Sequence, residues 1–153
     1  MDTIMTKLQA SFGRKSKPVN AFAANEDSLT SARAEEFCQN LAKQLGNRAK
    51  LIKRMWLFSE LRQPGLRAIA SREAAAADLI IISVHHQESL PDEVRNWVDL
   101  WLECKGDRAI ILLALFDSPH QGDSNSMRAY LTNVAKLGEM EFLVQTEEFP
   151  EAN

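Results

Sequence analysis

The chain holds three histidines, His85, His86 and His120, and each stands next to carboxylates or hydroxyls in a run of turn-forming residues. His85-His86-Gln87-Glu88 follows one apolar run, Asp117-Ser118-Pro119-His120 follows a second, and Asn25-Glu26-Asp27-Ser28 follows a third. Imidazole and carboxylate are the side chains that move protons near neutral pH and hold divalent cations. If the three runs meet, an acid/base or metal site results. Its candidate catalytic groups are His85, His86, Asp117 and His120. Asp27, His86, Asp117 and His120 are the candidate metal ligands, and Glu26, Asp27, Ser83 and His86 the candidate ligand-binding residues. The plain alternative is a set of solvated loops, because histidine and aspartate are ordinary loop residues and His85 and His86, as neighbours, count as one observation.

Other chemistries lack their signatures. Phosphate binding needs a glycine-rich turn or a hydroxyl-rich loop that presents backbone N–H groups at a helix N-terminus. The acidic pair Glu26-Asp27 would repel a phosphate there, although Ser28, Thr30 and Ser31 supply hydroxyls. Flavin and nicotinamide cofactors are therefore not expected, and no other cofactor is specified. No G-x-S-x-G elbow, P-loop or H-E-x-x-H motif occurs. The two cysteines, Cys38 and Cys104, lie far apart in helical stretches beside Phe37 and near Trp101, which predicts buried reduced thiols and excludes a paired-cysteine zinc site.

The elements that must position these groups follow from periodicity. Short apolar runs read as strands at 19–23, 50–56, 78–84, 109–116 and 141–145. Between them lie helical patterns. Leu29, Arg33, Phe37, Leu41 and Leu45 recur every fourth residue, and Phe37, Leu41 and Leu45 with Ala34 and Cys38 make the apolar stripe, with Gly46 as the stop. An Ala-rich helix follows Pro64-Gly65. Pro91 opens a helix with Val94, Trp97, Val98 and Trp101 on one face, both tryptophans directed at the sheet. Met127, Tyr130, Leu131, Val134 and Leu137 mark another helix, stopped by Gly138. The run Asp78–Val84 is apolar and β-branched almost throughout, as a strand covered on both faces should be.

Strands alternating with helices imply parallel pairing through right-handed crossovers. The predicted fold is α/β, a three-layer sandwich with a five-stranded parallel sheet in the flavodoxin-like order 2-1-3-4-5. In that order strands one, three and four are neighbours. Ligands of such sheets bind outside the carboxyl ends of the strands where the order reverses, which is where all three histidine-bearing or acidic runs would fall.

A length of 153 residues, 45% of them hydrophobic, fits a single domain with its own core. The predicted organisation is a flexible basic tail over 1–17, one domain over 18–146 and a loose acidic tail over 147–153. Within the first segment Ile4, Met5, Leu8 and Phe12 leave open a short helix over 3–11 that docks. The balance of 18 Lys+Arg against 21 Asp+Glu gives no field favouring nucleic acid or anionic lipid. No apolar run approaches the roughly 18–20 residues that span a bilayer, and the start lacks the apolar core of a signal peptide, so a cytoplasmic location is expected. Arg48, Lys50, Lys53 and Arg54 read as charges that protect an edge strand from pairing with other sheets. Trp56 and Phe58 could line the crevice, but packing beneath the next helix is the preferred use of such large side chains.

The element order, Glu26-Asp27 after the first strand and the run Asp78–Val84 make residues 18–145 resemble a receiver domain of two-component response regulators. Where a receiver ends its third strand with the phosphorylated aspartate, this chain has Ser83. Leu115-Phe116 stands where the family ends strand four with Ser or Thr, and Gln145-Thr146 where it ends strand five with Lys. The resemblance thus implies a degenerate receiver-like fold without aspartyl phosphorylation. The expected function is a non-catalytic regulatory or protein-interaction module with a protein partner and neither membrane nor nucleic acid as its target. The enzyme alternative is a small metal-assisted or histidine-based hydrolase or transferase at the carboxyl edge. A homodimer that pairs through an edge strand or helix face is a third option.

Overall fold

The computed structural model describes residues 3–13, 17–85, 90–117 and 125–147. Its strands are β1 (Val19–Asn25), β2 (Leu51–Leu57), β3 (Leu79–Ser83), β4 (Ile111–Asp117) and β5 (Glu141–Glu147). They form one sheet in the order β2-β1-β3-β4-β5, and every adjacent pair is parallel. The expected flavodoxin-like arrangement is therefore the observed one. The helices are α1 (Thr3–Phe12), α2 (Ser28–Leu45), α3 (Pro64–Ala75), α4 (Asp92–Lys105) and α5 (Asn125–Leu137), with a 3-10 turn at Phe58–Arg62.

Alternation along the strands divides the core into two layers. Phe22, Ala24, Ile80, Ile82, Leu112 and Ala114 join a cluster with residues of α3, α4 and α5. Ala21, Ala23, Leu79, Ile81, Leu113 and Leu115 join a second cluster with α1 and α2. Every residue of β3 is buried, which is why its run carries no period-two pattern. Trp97 and Trp101 are fully buried as expected. The Trp97 ring stacks on Phe22 at 5.4 Å and meets Trp101 edge-on at 5.9 Å. Trp56 and Phe58 take the packing role, since the Trp56 indole donates to Glu73 of α3 at 2.9 Å and Phe58 is buried. β2 is an edge strand, and Lys53 and Arg54 at its middle are exposed.

Two expectations are corrected. Residues 3–12 of the supposed flexible tail form α1, with Met5, Leu8 and Phe12 buried against the α2 side of the sheet. Three apolar residues on one helical face suffice there because Phe37, Leu41, Leu113 and Leu143 offer them a ready apolar surface. The Gln9 side chain adds a hydrogen bond to the Gln44 carbonyl at the end of α2. Second, Cys38 is buried but Cys104 is exposed. The buried stripe of α4 continues from Trp101 to Lys105, whose ammonium caps the Gly106 and Arg108 carbonyls and leaves Cys104 off the stripe. The expected α2 stripe of Ala34, Phe37, Cys38, Leu41 and Leu45 is buried, and Arg33 is buried with it, whereas Leu29 is 61% exposed. At the other end, β5 extends to Glu147, and the remainder of the expected acidic tail lies outside the described residues. Among the described residues no helix is long and apolar enough to cross a membrane.

Candidate functional site

The carboxyl ends of β1, β3 and β4 lie side by side, with Asn25 in register with Ser83 and Ser83 with Leu115. The backbone ties the loops together just beyond. The Glu26 amide donates to the Ser83 carbonyl at 3.1 Å, and the Val84 amide to the Leu115 carbonyl at 3.0 Å. Asp27 caps α2. Its carboxylate accepts from the Thr30 amide at 3.0 Å while the Thr30 hydroxyl accepts from the Asp27 amide at 2.9 Å. This reciprocal box satisfies amides that a helix start leaves unpaired, and it holds the carboxylate over the strand ends.

Arg33 reaches from α2 across the top of the sheet, and its side chain is 1% exposed. One terminal nitrogen donates to Asp117 Oδ1 at 2.6 Å. The other donates to the carbonyls of Val84 at 2.7 Å and Leu115 at 2.9 Å, and to the Ser83 hydroxyl at 3.2 Å. Nε also contacts that hydroxyl at 3.3 Å. Ser83 in turn donates its proton to the Thr30 carbonyl at 3.0 Å. A buried guanidinium is stable only when a carboxylate and its hydrogen-bond acceptors are supplied, and here they come from β3, the residue that follows it and β4.

His85 lies one layer further out. Its amide donates to Glu26 Oε1 at 2.9 Å. Its Nδ1 meets Asp117 Oδ2 at 2.9 Å, and Nε2 meets Asp27 Oδ2 at 2.9 Å. For both ring contacts to be hydrogen bonds the imidazole must carry both protons. Burial by itself would lower the pKa of His85. The hydrogen bond that the ring donates to Asp117 and the charges of Asp117, Asp27 and Glu26 outweigh it and hold the pKa above the ordinary 6.5. Burial likewise pushes the Asp27 carboxyl up, but the Thr30 amide, the charge of His85 and hydrogen bonds from both residues bring it below the usual 3.8. Exposure grades outward, from 13% for Asp117 through 24% for His85 to 43% for Asp27.

The structure thus brings together Glu26, Asp27, Ser83, His85 and Asp117 among the expected site residues. His86 and His120 lie outside the described residues. Asp27 and Asp117 flank the His85 ring on opposite nitrogens, and among the described residues no three histidine, cysteine or acidic side chains are grouped so as to hold a metal ion. Ser83 is fully buried with its proton engaged, so it is no nucleophile in this state. An imidazolium between two carboxylates is a poor general base, since its lone pairs are protonated.

Two members of the network escaped the sequence reading. By sequence Thr30 is only a hydroxyl, and Arg33 only one place in a four-residue repeat. The signal was present in that repeat. An arginine at the spacing of Phe37, Leu41 and Leu45 must either break the buried face or find a carboxylate inside it.

No family model and no curated protein matches this chain.

Proposed function

We propose that the protein is a non-catalytic regulatory or protein-interaction module of receiver-like fold, working in the cytoplasm. The observation that carries this reading is the Arg33 guanidinium, which fills the crevice between the β3 and β4 ends and uses its donors on Asp117, Ser83, Val84 and Leu115. In a sheet of this order a ligand would lie next to these groups, outside the carboxyl ends of β1 and β3 where the strand order reverses. Arg33 is bonded to both Asp117 and Ser83. The hydroxyl at the end of β3 is buried and its proton engaged, and the imidazole beside it is held between two carboxylates. This network ties α2, β3 and β4 to one another and so shapes the edge that a partner would meet.

The histidine-based enzyme remains the second reading, favoured by one specific contact: Asp117 on Nδ1 of His85 is the arrangement that orients a catalytic imidazole. At Nε2, however, stands the Asp27 carboxylate rather than a nucleophile.

The discriminating experiment incubates the full chain with carboxylic esters, phosphate monoesters and acetyl phosphate, with and without zinc or manganese. The module reading expects no turnover above buffer, no phosphoryl adduct by intact mass and no thermal shift on adding metal. Turnover that disappears in His85→Gln while the fold is kept would overturn it.

A further inference from the structure

We infer that His85 is a proton-operated latch that fastens the α2 N-terminus to the end of β4 when protonated and releases Asp27 when neutral. This deepens the module reading above and rests on it. The geometry carries the inference. One ring spans two carboxylates on different elements, Asp117 at the end of β4 and Asp27 at the N-cap of α2, both at 2.9 Å. A neutral imidazole has one N–H, so one nitrogen must then turn a lone pair toward a carboxylate, and one contact has to fail.

Which one fails follows from the surroundings. Asp117 is nearly buried and also receives Arg33, so the nitrogen facing it keeps the proton and the buried pair stays intact. Asp27 is 43% exposed and keeps the Thr30 amide, so water can replace the imidazole there at little cost. The charged groups described around the ring are Glu26 and Asp27 on the turn before α2, Arg33 on α2 and Asp117 on β4. Loss of the proton leaves Glu26 and Asp27 without a counter-charge from the ring. The outer edge becomes more acidic by one charge, beside the exposed Leu29 of the first helical turn. A partner with a basic contact surface would gain from the released state.

Since the pKa of His85 is raised above 6.5, the latch is closed below that value and opens as the pH rises through the folded-state pKa. It loosens by at most about tenfold per pH unit, the limit for one proton.

The test is ring nitrogen NMR on the full-length protein, with His85 assigned, from about pH 5 to about pH 9, the range over which histidines change charge. The latch predicts a doubly protonated ring at a pH where an unperturbed imidazole is half neutral. It predicts that the neutral form carries its proton on Nδ1, and that Asp27→Asn lowers the proton affinity by up to about tenfold. Asparagine still caps the helix, so this variant keeps the fold. A neutral form protonated on Nε2, or an Asp27→Asn protein whose His85 titrates as in the parent, overturns the latch. If the latch fails while the substrates above give no turnover, the module reading stands. Turnover lost in His85→Gln overturns the module reading whatever the ring signals show.

Discussion

Replacing Arg33 with methionine is the sharpest probe of the network. Methionine keeps the length and apolar stem of the side chain but removes its charge and its donors. Asp117 would then lose the 2.6 Å bond from Arg33 while keeping His85, and the Val84 carbonyl would lose a 2.7 Å bond. The Leu115 carbonyl keeps the Val84 amide and suffers less. Removing one member of a buried ion pair costs about 3–5 kcal/mol, because the other charge stays buried without its partner. At about 2–4 °C per kcal/mol for a chain of this size, the melting temperature should drop by roughly 6–20 °C. Urea unfolding followed by tryptophan fluorescence reads this directly, since Trp97 and Trp101 are fully buried. Adding Asp117→Asn should recover part of the loss, with a coupling of about 1–3 kcal/mol as expected for residues in contact. A loss below about 1 kcal/mol for Arg33→Met, within the range of an ordinary surface substitution or weak contact, would refute the view that this guanidinium organises the strand ends.

Stability should decline as the pH is raised through the folded-state pKa of His85, because a group whose pKa is raised on folding stabilises most below its unfolded value of 6.5. His85→Gln should flatten that part of a denaturation-midpoint profile, and an unchanged slope would count against the double contact. In the folded protein an aromatic disulfide reagent should label Cys104 quickly and Cys38 only upon unfolding, since Cys38 is buried and its thiol is pushed up to about 11, chiefly by burial. Labelling followed by peptide mass mapping checks this. Leu8→Ala should cost about 2–5 kcal/mol by urea denaturation, since Leu8 is fully buried in α1, whereas an undocked tail would show no loss.

The strands and helices could be read from the chain because each element's burial pattern is local. A continuous apolar run such as Leu79–Ser83 has few alternatives to a central strand, and the order of strands and helices then restricts the sheet to a small number of topologies. Helix α1 was harder to read. Its apolar residues are few, and their burial depends on a surface built by Leu113 and Leu143, far along the chain. Cys104 differs from expectation for a related reason: one residue along a helix separates a buried stripe from solvent, and which residue continues the stripe depends on the neighbouring carbonyls that Lys105 caps.

For the candidate site, composition and spacing were enough to place Glu26, Asp27, Ser83, His85 and Asp117 at one edge, since residues that follow parallel strands must emerge on the same side of the sheet. Their pairing was not encoded in spacing. Which nitrogen of His85 meets which carboxylate, the burial of the Ser83 hydroxyl and the path of Arg33 across β3 and β4 all depend on contacts between residues separated by up to 84 positions. Periodicity reports which face of an element is covered, and only the packed fold decides which charges share that cover, because the energy of a buried ion depends on distances of a few ångströms to partners that lie nowhere near it in the chain.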